Sequence, residues 1–205
     1  MLTLKTIEEK LAAYRPGAML GDHFLNPDLL PAPPYRDAAV LITLLDRGDD
    51  LSVVFTQRTS HLHAHAGQVS FPGGGREPQD ESAVQTALRE AQEEIGLDPS
   101  CVRVLGELDE YITRTGFRVR PVVGYVAAVP EWNPDPFEVE EIFDVPLAYL
   151  CTPGHLCRQR VEREGAVREF YACNWQKFHI WGATAGMMRH FLDIVMDEKP
   201  AERTA

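Results

Sequence analysis

Basic residues are scarce in this sequence. Lysine and arginine number 20 against 31 aspartates and glutamates, which gives a formal net charge of −11 at pH 7. Nucleic acids and anionic membranes are bound largely through lysine and arginine. The composition therefore argues against a general nucleic-acid-binding or membrane-surface protein. It also predicts that any anionic ligand is neutralised locally, by a metal ion and a few arginines.

Long apolar runs and targeting signals are also missing. No stretch is long enough to span a bilayer, and Met1–Lys5 does not begin a signal peptide. The residues Arg203–Ala205 do not form a peroxisomal address. We therefore expect a cytoplasmic protein.

Cysteine is rare, and the four cysteines contain no CxxC pair. They are Cys101, Cys151, Cys157 and Cys173. Each lies among apolar residues that are typical of strands or helices, where a cysteine behaves as a small apolar side chain. We expect four buried thiols rather than a disulfide or a zinc site.

The length and composition predict one sizeable domain. The chain has 205 residues, of which 44% are hydrophobic, enough for a substantial core. We expect an N-terminal helix and proline-rich loop over 1–37 that pack on the domain, the domain itself over 38–196, and a frayed tail over 197–205.

The order of the predicted elements indicates an α/β protein. Strands are predicted at 38–45, 51–57, 68–71, 102–108, 119–129, 155–163 and 167–174, and helices at 6–14, 80–96 and 183–196. The last two strands form a hairpin about Glu164 and Gly165. Residues 138–150 have a helical period that Pro146 interrupts, which predicts helical turns, and Pro121 favours an edge position for its strand.

Acidic side chains crowd the C-terminal end of the helix predicted over 80–96. At about 100° per residue, Glu90 and Glu94 fall within about 40° of each other, and Glu93 lies roughly 60–100° further round. Like charges on adjacent turns repel, and carboxylates are unfavourable at this end of the helix dipole. A hard divalent cation such as Mg²⁺, which binds a few carboxylates and keeps places for phosphates, is the simplest compensation.

This segment resembles the Nudix box of the Nudix hydrolases. Gly75, five residues, Glu81, seven residues and then the run Arg-Glu-Ala-Gln-Glu-Glu-Ile-Gly-Leu at 89–97 match it over 23 positions. Ala91 departs from the larger aliphatic residue that is usual in the family. The resemblance implies an α/β/α sandwich with a mixed β-sheet.

The resemblance also implies roles for the residues of the box. It implies Mg²⁺ or Mn²⁺ as the cofactor, with Glu90, Glu94 and Glu93 as metal ligands and Glu93 also as a catalytic residue. Gly75, Glu81 and Arg89 are implied as structural support. From the helical spacing, we expect Arg89 to pair with Glu93 or with Glu81 and so to orient the ligands.

The residues before the box resemble the coenzyme A diphosphatase branch of the family. The run Phe-Thr-Gln-Arg-Thr at 55–59, then Leu62 and His65, and Gly-Gln-Val-Ser-Phe-Pro-Gly-Gly at 67–74 carry this resemblance. Later stretches at 115–124, 138–147 and 180–185 also fit. The resemblance implies attack of water on the diphosphate of coenzyme A, which gives 3′,5′-ADP and 4′-phosphopantetheine.

Further residues are assigned to the substrate and to the general base. Arg58, His65 and Gly74 are the candidate substrate contacts, although Arg58 can equally be a surface charge. Glu140 is the candidate general base, with Glu138 and Glu141 as rivals. His61, His63 and His65 would share one face of a strand without a fourth ligand, which makes zinc the weaker interpretation.

Other functions stay open at the level of the sequence. A Nudix enzyme for another nucleoside diphosphate, such as NADH, ADP-ribose or an oxidised nucleotide, would have the same box. A catalytically silent ligand sensor would not need an intact set of glutamates. The expected partner is a small molecule, coenzyme A or a related nucleotide, with no nucleic acid and no membrane. The sequence leaves a homodimer open.

Overall fold

The structure is a computed structural model that describes residues 2–61, 66–163 and 165–197. Its α-helices are α1 (Leu4–Ala13), α2 (Ala83–Ile95), α3 (Leu147–Leu150) and α4 (Gly182–Val195), and short 3₁₀ helices cover Asp22–Phe24, Pro27–Leu29 and Pro99–Cys101. Its strands are β1 (Met19–Gly21), β2 (Arg36–Asp46), β3 (Leu51–Arg58), β4 (Val69–Ser70), β5 (Gly73–Gly75), β6 (Arg103–Glu107), β7 (Glu110–Ile112), β8 (Phe117–Val126), β9 (Val139–Pro146), β10 (Cys157–Arg163), β11 (Ala166–Trp175) and β12 (Phe178–Trp181).

The strands form one large mixed sheet and one small sheet. The nine-stranded sheet has the order β1-β7-β8-β2-β3-β4, with β5 paired to β2, β6 to β8 and β9 to β3. The pairs β2/β8 and β1/β7 are parallel, and the other pairs of this sheet are antiparallel. Strands β10, β11 and β12 form an antiparallel three-stranded sheet.

Helices cover both faces of the large sheet. On one face, Ala87 and Ile95 of α2 pack with Leu41 in one apolar cluster. On the other face, Ile7 of α1 and Phe191 of α4 share a larger cluster with the opposite side of β2 and with the small sheet. Burial of these alternating faces is the main favourable term in the folding of such a sandwich. The predicted α/β/α sandwich with a mixed sheet is confirmed.

Helix α2 begins and ends on local signals. The Ser82 side chain accepts a hydrogen bond from the Gln85 N–H and so caps the first turn. Gly96 ends the helix in the left-handed conformation, with φ 70°. These two residues set the ends of the helix, and its buried apolar side chains, among them Ala87 and Ile95, determine which face meets the sheet.

Three predictions about elements are wrong. Residues predicted as helical turns after Glu138 form strand β9, which pairs with β3, and only Leu147–Leu150 is helical. Strand β8 lies inside the sheet and not at its edge; Pro121 falls between the stretches that pair with β7 and with β6, where no ladder partner on that side needs its N–H. The proline-rich region contains the short strand β1, which pairs with β7.

The cysteines and the chain ends differ in part from expectation. All four cysteines are reduced thiols, but Cys101 is exposed and only Cys173 is fully buried. Of the predicted tail, only Asp197 is among the described residues. Glu164 also lies outside them, and the predicted hairpin is confirmed by the antiparallel pairing of β10 with β11. Among the described residues, no helix is both long and apolar enough to cross a bilayer.

Candidate active site

Helix α2 places the carboxylates of Glu94 and Glu90 against two adjacent glycines of β5, Gly73 and Gly74. The Gly73 N–H donates to Glu94 Oε2 over 3.0 Å. A Cβ atom placed on Gly74 would lie 2.5 Å from the carboxylate of Glu90. Because β5 pairs with β2 under α2, the glycines let the helix carboxylates sit directly against the strand. The two glutamates that the helical spacing aligned therefore meet at one point of the fold.

The two carboxylates are held in an environment that disfavours their charge. Glu94 is only 4% exposed. Burial, together with the neighbouring charges of Glu138 and Glu90, raises the pKa of Glu94 to about 7, although the Gly73 N–H and Arg58 oppose the shift. Burial also raises the pKa of Glu90, against the effect of Arg89. Both carboxylates lack sufficient positive charge around them.

Arg89 connects one side of this cluster to the rest of the fold. Its Nη1 donates to Glu90 Oε1 over 3.0 Å and to Glu93 Oε2 over 2.9 Å. Its Nη2 donates to the Gly75 carbonyl oxygen over 3.0 Å. Arg89 thus holds two of the predicted ligands at fixed positions relative to β5.

Asp80 is a partner of Arg89 that sequence reasoning missed. Its carboxylate, which is almost completely buried, accepts hydrogen bonds from Arg89 Nε over 3.1 Å and from Nη2 over 2.9 Å in a bidentate pair. Arg89 holds the pKa of Asp80 well below its usual range, and the Glu77 N–H and the Thr86 hydroxyl add to the effect. Asp80 precedes the first residue of α2, so helical spacing could not reveal this pair.

Arg58 connects the other side of the cluster to β9. It is half-buried at the end of β3, with Nη1 3.4 Å from Glu94 Oε1 and Nη2 3.4 Å from Glu138 Oε2. Glu138 immediately precedes β9, which pairs with β3. Strand pairing that is distant in the sequence therefore adds a third carboxylate next to Glu90 and Glu94.

The remaining candidate residues occupy different surroundings. Glu93 bonds to Arg89 and is largely exposed, at 60% of its side chain. Glu140 is exposed, and it is the extra residue of a bulge in β9, between Val139 and Glu141, which face Arg58 and Gln57. Glu81 is exposed and is not one of the carboxylates that bond to the Arg89 guanidinium group; its N–H donates to the Gln85 side chain. His63 and His65 lie outside the described residues.

The donor set fits a hard divalent cation. Five carboxylates, those of Asp80, Glu90, Glu93, Glu94 and Glu138, share the two guanidinium groups of Arg58 and Arg89. Over the described parts of the chain, no three acidic, histidine or cysteine side chains are already gathered as a complete ligand cluster. Mg²⁺ and Mn²⁺ accept such a partial set, because they retain water and take substrate phosphate oxygens as further ligands. Glu90 and Glu94 are the side chains best placed to hold the ion.

Comparison with known proteins places this architecture in a family. The NUDIX domain matches residues 34–171. The chain is 37% identical over 176 residues to an uncharacterised Nudix hydrolase, NudL, of Pectobacterium atrosepticum, covering 86% of this chain and 91% of that protein. It is 38% identical over 186 residues to the NudL protein of Salmonella paratyphi B, covering 87% and 96%.

Solved structures show the same fold at low sequence identity. A MutT/nudix family protein from Enterococcus faecalis superposes with a TM-score of 0.52 and 15% identity, over 99% of this chain and 78% of that one. The MutT protein from Methanosarcina mazei Go1 gives a TM-score of 0.51 and 18% identity, over 82% and 97%. Because the domain match covers most of the chain and the relatives align along nearly all of it, this protein belongs to the Nudix hydrolases, enzymes that cleave the diphosphate bond of nucleoside diphosphate derivatives.

Proposed function

We propose that this enzyme hydrolyses the diphosphate of coenzyme A, or of a coenzyme A derivative, to 3′,5′-ADP and 4′-phosphopantetheine. The observation that carries the proposal is the position of the sequence at 55–74 that resembles coenzyme A diphosphatases. This sequence supplies Arg58 at the end of β3 and the glycines of β5. Arg58 and Gly73 both contact Glu94, so the substrate-specific sequence and the Nudix box form one site.

Each residue of the site has a definite part in this proposal. Glu90 and Glu94 hold Mg²⁺ or Mn²⁺, which when bound would neutralise the diphosphate and orient the attacking water. Arg89 keeps Glu90 in place and acts as a positioning residue. Arg58 is exposed enough, at 24% of its side chain, to exchange a carboxylate partner for a substrate phosphate. Gly74 provides the close approach of backbone and ligand.

The general base is assigned among the acidic residues outside α2. Glu140 remains the candidate from sequence, and the bulge that contains it could direct its side chain away from the regular pleat. Glu138 has the stronger geometric support, since its carboxylate reaches Arg58 and its charge raises the pKa of both Glu90 and Glu94. Glu93 is the third candidate, from within the box.

A substrate panel tests the proposal. Coenzyme A, NADH, ADP-ribose and an oxidised nucleoside triphosphate are incubated with the enzyme and Mg²⁺, or Mn²⁺, and the products are identified by mass. We expect coenzyme A to give the highest kcat/KM and 3′,5′-ADP as one product, and chelation of the metal to abolish turnover. Faster cleavage of NADH or ADP-ribose would overturn the coenzyme A assignment.

Two variants separate the site from the fold in the same assay. Glu94→Gln removes one metal-binding charge, and we expect it to lower kcat by at least about a hundredfold, the scale on which electrostatic catalytic groups act. Glu9→Gln makes the same chemical change on the exposed face of α1 and should leave kcat unchanged.

Cytoplasmic location and the homodimer remain predictions.

A further inference from the structure

The most exposed large apolar side chain among the described residues lies beside the candidate active site. Phe137 is 64% exposed, at the end of the loop that precedes β9. An isolated exposed apolar residue is common on protein surfaces. Phe137 is unusual because of how its backbone is held and because of what its neighbours in the sequence contact.

Hydrogen bonds on both sides fix the backbone of Phe137. Its N–H donates to Asp135 Oδ1 over 2.8 Å, and its carbonyl oxygen accepts from the Thr59 hydroxyl over 2.7 Å. The Thr59 N–H donates to the Glu138 carbonyl oxygen over 3.0 Å. The rings of His61 and Phe137 form a T-shaped contact, at a centroid distance of 5.0 Å and an angle of 61°. The backbone of Phe137 is therefore fixed, and its exposed phenyl ring contacts His61.

The same loop is attached to the metal-binding helix. The Asp135 N–H donates to the main-chain carbonyl oxygen of Glu94 over 2.9 Å. Phe137 follows Asp135 by two residues, and two residues of extended chain span at most about 7 Å. The backbone of Phe137 therefore lies close to the end of α2. On its other side, Glu138 bonds to Arg58, which contacts the Glu94 carboxylate. Phe137 thus lies between Asp135 and Glu138, which connect to Glu94 through its main-chain carbonyl group and through Arg58.

We propose that Phe137, supported by His61, is the stacking platform for the nucleobase of the substrate. A diphosphate bound through a metal ion at Glu90 and Glu94 would extend its two organic halves away from these carboxylates. An exposed, flat phenyl ring offers a planar base a large apolar contact, which polar loop residues cannot supply. A flexible pantetheine arm would gain less, because ordering it on a single ring costs rotational freedom. This inference rests on the proposed function only in requiring a nucleoside diphosphate.

Binding of three probes to the full-length protein tests the platform. Calorimetric titrations with Mg²⁺ present compare ADP, inorganic pyrophosphate and 4′-phosphopantetheine, for the unaltered protein, Phe137→Ala and Phe137→Trp. Loss of base stacking typically weakens binding by roughly five- to a hundredfold. We expect Phe137→Ala to weaken ADP by about tenfold or more and pyrophosphate by less than about twofold. Phe137→Trp should retain ADP binding, with quenching of the added indole fluorescence.

The controls separate this proposal from a general loss of structure or of substrate. Phe24→Ala removes another exposed phenyl ring, on the 3₁₀ helix Asp22–Phe24, and should not change ADP binding. Equal weakening of ADP and pyrophosphate, a loss confined to 4′-phosphopantetheine, or undetectable binding of ADP to the unaltered protein would each overturn the platform. Because ADP binding needs no turnover of coenzyme A, a negative hydrolysis assay would affect the proposed function and leave this result intact.

Discussion

At the scale of single residues, two neighbouring glycines of β5 have different surroundings. A Cβ atom at Gly74 would meet the carboxylate of Glu90 at 2.5 Å, whereas one at Gly75 would have no atom within 4 Å. We expect Gly74→Ala to displace the Glu90 carboxylate and to lower kcat/KM by about tenfold or more, at little cost in stability because the displaced group is the end of a flexible side chain. Gly75→Ala should retain nearly full activity. Steady-state kinetics of both variants, with their melting temperatures, checks the pair.

The comparison of the two glycines also has a clear negative outcome. If Gly74→Ala is as active as Gly75→Ala, then Glu90 does not need its place against β5. The position of Glu90 would then be irrelevant to metal binding, and the assignment of the metal to Glu90 and Glu94 would have to be abandoned.

Substitution of single side chains also tests which residue is the general base. We expect Glu138→Gln to lower kcat by about a hundred- to ten-thousandfold, the range for loss of general base catalysis, with a smaller effect on KM. Glu140→Gln should lower kcat by less than about threefold, because Glu140 is exposed on the bulge of β9. Rates measured from pH 6 to 9 with saturating metal distinguish the two. A larger loss from Glu140→Gln would restore the residue predicted from sequence.

At the scale of elements, the end of α2 is closed by the loop that leads to β9. The Asn133 N–H donates to the Ile95 carbonyl oxygen over 3.1 Å, which satisfies a carbonyl group that the helix leaves without a partner. Gly96 has φ +70°, and a Cβ atom there would lie 2.8 Å from the Asn133 Cβ. The helix that carries Glu90 and Glu94 and the loop that carries Phe137 therefore pack closely at one glycine.

Substitution of this glycine should cost more than the left-handed conformation alone. Gly48 has φ +88°, and a Cβ atom there would have no neighbour within 4 Å, so Gly48→Ala should cost only about 1–2 kcal/mol in the free energy of unfolding. Gly96→Ala adds a contact with Asn133 and should cost about 1–3 kcal/mol more. Urea unfolding of both variants measures the difference, and equal losses would show that the loop moves aside without cost.

Local signals predicted the elements that are stabilised locally. The helix over 80–96 was predicted from its local pattern, which left Asp80 and Ser82 as cap candidates and ended the helix at Gly96, and so was the β10–β11 hairpin. Strand β9 could not, because its partner β3 lies about 80 residues earlier, and pairing there overrides a weak helical period. The same pairing determines which acidic residue of the 138–141 segment reaches the site. The Asp80–Arg89 pair was not predicted for a similar reason, since only the folded turn before α2 brings the two residues together.

At the scale of the whole molecule, one polar cluster joins the N-terminal segment to the connection between β6 and β7 and to α4. Asp109, between β6 and β7, accepts the Tyr14 hydroxyl over 2.6 Å and the N–H groups of Gly17 and Ala18. His190 of α4 lies 3.2 Å from the same carboxylate. These contacts hold the end of the N-terminal helix against α4.

This cluster predicts a dependence of stability on pH. Burial lowers the pKa of His190 below its usual 6.5, although Asp109 opposes the shift. The unfolded chain therefore binds the proton at a higher pH than the folded protein, and the free energy of unfolding falls as the pH drops through 6.5. One such group contributes at most about 1.4 kcal/mol per pH unit. Burial works against ionisation of Asp109, but its hydrogen bonds from Tyr14, Gly17 and Ala18 hold its pKa below 3.8, so that its stabilising charge is lost only at still lower pH.

We therefore expect His190→Gln to lose the part of the fall in unfolding free energy between pH 7.5 and 5.5 that His190 contributes, because glutamine cannot take up a proton there. Urea unfolding at several pH values measures the slope for the unaltered protein, His190→Gln and His179→Gln, the last an exposed histidine on β12 that bonds to Asn174. His179→Gln should leave the slope as it is. Identical slopes for all three proteins would mean that His190 takes up its proton as easily in the folded protein as in the unfolded chain. The attachment of the N-terminal segment would then not depend on keeping this histidine neutral.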